Sequence, residues 1–149
     1  MYAAANYTSC VNALVKQQPE SKKKHWVSAQ LKPSNHSPGE IGTFGERRAR
    51  EYLAKEGFHI IANNLIIHPG ELDIIAWNPK RTEVVFVEVK TSIGTGSDHP
   101  SAMLTGKKLS VLIRTAQRFL ANQGLAADYR FDMITVTSQT LEHFENITW

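Results

Sequence analysis

The sequence predicts an α/β fold of order α-β-β-β-α-β, with a mixed central sheet flanked by helices, in one folded unit over residues 37–149. Three observations predict it. Two segments repeat apolar residues at the helical period, a series of short β-branched runs stands between and after them, and one of those runs, Val84 to Lys90, is nearly apolar on both faces, as a central strand is. A chain of 149 residues with 42% apolar content suits one domain with one core.

Residues 1–36 show no sustained period and contain Gln17-Gln18-Pro19, Lys22-Lys23-Lys24 and Pro33-Ser34-Asn35, the composition of a flexible basic extension. Two readings of it stay open: a phosphate-binding arm with Trp26 available to stack on a base, or a solvated tail. The first helix begins at Ser37-Pro38-Gly39-Glu40, where Ser is a good N-cap, Pro suits the first helical position and Glu completes a capping box. It ends near Gly57. Gly45 in its middle lowers helix propensity, which points to close packing or a site role for that turn.

Phe58 to Ile67 is rich in Ile, His68-Pro69-Gly70 is a turn signal, and Glu71 to Trp77 alternates apolar and polar residues, so two antiparallel strands follow. A second turn, Asn78-Pro79-Lys80-Arg81, leads into Val84–Lys90 and completes a three-stranded meander. Thr91 to Pro100 carries Gly94, Gly96 and Pro100 without periodicity and reads as a loop. Lys107 to Asn122 has Leu109, Leu112, Ile113, Ala116, Phe119 and Leu120 at helical spacing, with Gly124 placed to stop the helix. Phe131–Val136 reads as a strand, and Phe144–Trp149 as a possible short last one.

Composition excludes several classes of function. No apolar run approaches the roughly 20 residues that cross a bilayer, and the first residues lack the charged start and cleavage pattern of a secretory signal, so a cytoplasmic chain is expected. With Cys10 the sole cysteine, an intramolecular disulfide and a cysteine zinc site are both excluded. Net charge is +3 and the pI about 9.1. The excess belongs to the tail: residues 1–38 hold five Lys against one Glu, and residues 39–149 twelve Lys and Arg against thirteen Asp and Glu. If the folded part binds a polyanion, it must therefore do so through local patches.

The feature that asks for a chemical explanation is Glu88 and Lys90 at i and i+2 in the most apolar strand, a spacing that sends both side chains to one sheet face. Burying an ion pair costs several kcal/mol per ion before compensation, and Val or Ile would serve a purely structural strand at less cost. Asp73 lies in the preceding strand, where a carboxylate from each strand can meet across the pair at roughly 5 Å. Adjacent carboxylates repel unless a cation joins them, and a hard divalent ion, Mg²⁺ or Mn²⁺, suits oxygen donors. Such an ion activates water and neutralises charge on a phosphodiester. Lys90 would then hold the attacking water or the developing charge. Glu46 falls on the helical stripe Gly42, Glu46, Ala49, Leu53 and can complete the metal shell, or it can pair with Arg50 in solvent.

These residues sit in a longer pattern: Gly42-x-x-Gly45-Glu46-x-x-Ala49-x-x-Tyr52-Leu53-x-x-x-Gly57, Asn64, Gly70-Glu71-Leu72-Asp73-Ile74-Ile75, Val85-Phe86-Val87-Glu88-Val89-Lys90, Lys107 and Arg130-Phe131-Asp132. In order and spacing it resembles the bacterial YraN family, a family of predicted endonucleases similar to archaeal Holliday junction resolvases. The resemblance implies a restriction-endonuclease-like fold of the PD-(D/E)xK kind. It implies Glu46, Asp73, Glu88 and Lys90 as catalytic residues, with Glu46, Asp73 and Glu88 as metal ligands. It also implies a DNA substrate, branched or single-stranded, and a possible homodimer, since junction resolvases act as symmetric dimers. The family usually carries Arg where this chain has Ile66 and Ser92, and an Arg at each would contact phosphate.

Other residues carry less specific signals. Lys107, Arg114 and Arg118 at i, i+7 and i+11 can contact backbone phosphates or form a solvated face. His99 beside Asp98 can approach substrate or stand by in the loop, and Asp132 pairs with Arg130 or caps a strand end more readily than it binds metal. Three functions are expected to compete: a Mg²⁺- or Mn²⁺-dependent structure-selective endonuclease, a nucleic-acid-binding module of the same fold without useful catalysis, and an adaptor whose basic tail binds a protein.

Overall fold

Helix α1 (Pro38–Lys55) leads into strands β1 (His59–Ile67), β2 (Gly70–Asn78) and β3 (Glu83–Thr91), followed by helix α2 (Gly106–Asn122) and strands β4 (Tyr129–Val136) and β5 (Leu141–Phe144). The computed structural model describes residues 38–92 and 104–148, with side chains from residue 42 onward. The extension over 1–36 with Trp26, the N-cap Ser37, and Asp98 and His99 lie outside the described residues. The predicted order of elements is the observed one.

The five strands form one mixed sheet in the order β1-β2-β3-β4-β5. The meander β1-β2-β3 is antiparallel, β3 and β4 are parallel, and β5 returns antiparallel on β4. A parallel pair needs a crossover, and the segment containing α2 supplies it. β3 occupies the middle of the sheet, which explains its double-sided apolar sequence: Val85, Val87 and Val89 pack with Ala49 and Leu53 of α1, whereas Val84 and Phe86 pack with Leu112, Ala116 and Phe119 of α2. Phe86 also meets Phe131 and Phe119, with ring centroids 5.4 and 6.0 Å apart.

Two glycines set how closely the helices approach. A side chain at Gly45 would overlap Thr91 Oγ1, so α1 touches the end of β3 with its backbone. A Cβ at Gly70 would stand 2.7 Å from Val111 Cγ1 and 2.8 Å from Thr115 Oγ1, so the β1–β2 turn lies directly on α2. The hairpin is irregular on the way there, with a register shift between Ile60 and Ala62 and Asn64 in the left-handed region at φ 51°.

The end of the chain corrects one expectation. The last strand is Leu141–Phe144, not Phe144–Trp149. Beyond Phe144 the backbone turns through Asn146, at φ 55°, whose N–H donates to Asp132 Oδ1 at 2.9 Å, and Ile147 N–H donates to Phe131 O at 2.8 Å. A carboxylate on β4 thus takes the donor that a further ladder rung would have used.

Candidate active site

The β2–β3 ladder stops at Ile74 opposite Val87. One step further, Asp73 comes opposite Glu88, and the strands separate there: the Val89 N–H is met by the Asp73 carboxylate, Oδ2 at 2.8 Å, in place of a backbone carbonyl. A gap in the sheet, flanked by two carboxylates, is the result. Glu88 lies on the α2 side of β3 and is only 5% exposed.

The gap is rich in cations. Lys90 Nζ donates to Glu88 Oε1 at 2.6 Å, which bears out the shared face inferred from the i, i+2 spacing. A second ammonium, that of Lys108, donates to the same oxygen. Lys108 is placed by the start of α2, where Thr105 Oγ1 accepts from the Lys108 backbone N–H at 3.3 Å and caps the helix.

The two carboxylates respond to this setting in opposite directions. Burial, and then the charge of Glu88, raise the Asp73 carboxyl to about 6, against the pull of the Val89 N–H and Lys90. Burial pushes Glu88 upward too, but its hydrogen bonds to Lys108 and Lys90 outweigh that and hold it below the usual carboxylate value. For Lys108, burial works against the charge, and the contact with Glu88 overcomes it and raises the ammonium above its ordinary value. The site therefore holds one stable carboxylate and one that keeps a proton into mildly acidic solution, a pair whose different environments suit different roles.

Glu46 stands apart. Ala49 and Leu53 of its stripe are fully buried, as the helical spacing predicts, and Glu46 is half-buried beside them. It rides on α1, across the sheet from α2, and reaches the pair through its charge, which contributes to raising Asp73. Among the described residues, no three His, Cys, Asp or Glu side chains stand close enough together to hold a metal ion. Asp73, Glu88 and Lys90 are brought together, then, and Glu46 lies at the rim.

The helix adds a lysine that the sequence reading did not name. Lys107 is exposed, and the amine that enters the site is Lys108. The spacing carried a signal for it: Lys108, Leu112, Thr115 and Phe119 form the i, i+4, i+7, i+11 series, and the last three are buried. Arg114 and Arg118 are exposed on another flank of α2, where with Gln117, His68 and Pro69 they line a cavity of about 350 Å³.

Asp132 belongs to a separate, structural network on the α1 side. It is fully buried and accepts from Arg130 Nε at 2.9 Å and from His143 Nε2 at 2.8 Å, while Arg130 Nη1 also donates to Glu83 at 2.8 Å. This is the pairing with Arg130 that the sequence favoured. Every charge in it has a partner, as burial requires.

Comparison with known proteins places these residues in context. Residues 45–136 match the model of a family described as "Uncharacterised protein family UPF0102". The chain is 32% identical over 126 residues to a UPF0102 protein of Chlorobium limicola, covering 77% of this chain and 96% of that one. A UPF0102 protein of Sulfurimonas denitrificans is 38% identical over 109 residues, covering 72% and 94%. Among solved structures, the crystal structure of a repair endonuclease from Pyrococcus abyssi aligns at a TM-score of 0.37 and 18% identity, over 72% of this chain and 40% of that one.

Proposed function

The chain belongs to the UPF0102 family, the YraN family that its motifs resemble, and on that premise and the geometry of the β2–β3 gap we propose that it is a Mg²⁺- or Mn²⁺-dependent endonuclease of restriction-endonuclease-like fold, hydrolysing phosphodiesters of branched or single-stranded DNA in the cytoplasm. The observation that carries the reading is the paired carboxylates: Asp73 and Glu88 meet where two central strands separate, with Lys90 on the same oxygen as a second lysine.

The residues fit a hard divalent ion. Asp73 and Glu88 are adjacent oxygen donors of the kind a hard divalent ion prefers, and a cation between them would offset the burial and the Glu88 charge that raise the Asp73 carboxyl. Asp73 and Glu88 would hold the ion, with Glu46, at the rim, reaching it through water. The ion would supply Lewis-acid stabilisation of the phosphorane-like transition state. Lys90 orients the attacking water and takes up charge at the phosphate. Glu88, kept ionised by its lysines, holds the Lys90 ammonium beside the place the water would take. Where the strands separate, the Val89 N–H holds one oxygen of the Asp73 carboxylate in place.

Calorimetric titration with Mn²⁺ tests the ligand set without a chosen substrate. Wild type should bind and Asp73→Asn should lose most of the affinity; equal binding by both sinks the metal assignment. Cleavage of branched or single-stranded DNA should vanish in Asp73→Ala and Glu88→Ala, and cleavage that persists in both would point to a contaminant. One feature favours a second reading, a nucleic-acid-binding module without useful catalysis: Ile66, where the family usually has Arg, is 79% exposed. That module would bind DNA in a salt-sensitive way and release no metal-dependent product.

A further inference from the structure

Helix α2 carries cations at two levels. At its first turn Lys108 enters the β2–β3 gap. Two turns later Arg114 and Arg118, at i and i+4, stand side by side on the flank that faces the β1–β2 turn. With Gln117, His68 and Pro69 they line the cavity of about 350 Å³, and no Asp or Glu lines it. Arg118 Nη1 donates to His68 O at 2.7 Å, which fixes that guanidinium against the turn. Arg114 makes only a long bond from Nε to Ser110 O, 3.4 Å, among the described residues, so the rest of its planar donor set is free. The close seating of Gly70 on Val111 and Thr115 brings the turn down beside the helix and closes one side of the cavity.

Two guanidinium groups in a solvent-open cavity, without a carboxylate to neutralise them, suit an oxyanion that can accept several N–H bonds at once. We propose that this cleft binds a backbone phosphodiester of the nucleic-acid strand that the active site cuts, so that the strand runs along α2 from Lys108 to the β1–β2 turn. The inference rests on the nuclease reading for the position of the cut and adds the path of the substrate. Six to ten residues of helix separate Lys108 from the arginines, about 9–15 Å along the axis, which places the held phosphate roughly two to four nucleotides from the bond broken. The rigid helix makes that separation a ruler: the contact positions the strand and carries no sequence information.

The test is binding of fluorescently labelled single-stranded and branched DNA to the full chain in EDTA, followed by anisotropy over a range of salt. Arg114→Gln and the double variant Arg114→Gln/Arg118→Gln are compared with Lys80→Gln, which removes a positive charge from the exposed β2–β3 turn. The double variant should bind about tenfold more weakly and lower the slope of log affinity against log salt by about 1, with Arg114→Gln in between and Lys80→Gln unchanged. In a scan of single methylphosphonates along the strand, wild type should lose affinity at one position that the double variant ignores. Arg114→Gln, at an exposed position, keeps the test valid if the double variant unfolds. A slope and a scan unchanged by Arg114→Gln overturn the inference while cleavage keeps the nuclease reading. The expected pattern without any cleavage upholds the cleft and removes the nuclease, and wild type that neither binds nor cuts DNA removes both.

Discussion

Asp73 carries a conflict between stability and chemistry that a single experiment can expose. Its folded-state carboxyl titrates at about 6, above the ordinary 3.8. Between those values the native chain keeps a proton that the unfolded chain has lost. The contribution of Asp73 to stability is therefore fully present below about pH 4 and is lost as pH rises through 6. Asp73→Asn, which keeps an acceptor for the Val89 N–H, should be more stable than wild type at pH 7.5 by on the order of 1–3 kcal/mol, and equal to it at pH 4. Urea unfolding at both pH values measures this; a variant less stable at pH 7.5 contradicts it. The same scale shows what the sequence could disclose. Glu88 and Lys90 were legible because a period of two is rigid in a strand. Lys108 was missed because only the burial of Thr115, a polar residue, completes the stripe that Lys108 heads, and neighbours on a helix differ by about 100° in direction.

At the scale of elements, the site depends on how near α1 comes to β3. Gly45 allows backbone contact with Thr91, and Glu46 follows it in the chain. Gly45→Ala must displace the Thr91 side chain or push α1 off the end of β3, although alanine favours helix by about 1 kcal/mol in isolation. The overlap with Thr91 should win: the variant should be destabilised by about 1–3 kcal/mol, as overpacked contacts are, and Thr91→Ser in the same chain should recover little, because the hydroxyl rather than the methyl is the first atom met. Thermal melts of the single and double variants measure both effects, and a Gly45→Ala chain as stable as wild type would show that α1 can shift freely. The helices, the meander and the central strand were legible from periodicity. The last strand was not, because the competition that ends it is tertiary: Asp132, on β4, takes the Asn146 N–H.

For the whole molecule, sequence order predicted the architecture because each connection has few solutions: a hairpin joins antiparallel neighbours, and a helix joins the parallel pair. Glu46 at the rim was beyond that logic, since the tilt of α1 over the sheet follows from packing. The parallel pairing of β3 with β4 also separates the site in time. Asp73 and Glu88 lie on one hairpin and can meet locally, whereas Lys108 arrives only when α2 docks on the sheet, and long-range closure is the slow part of folding. Two like charges must consequently share the nascent hairpin before their lysine from α2 is in place. Asp73→Asn, which removes one of those charges, should therefore refold from urea faster than wild type at pH 7.5, a difference stopped-flow tryptophan fluorescence can follow.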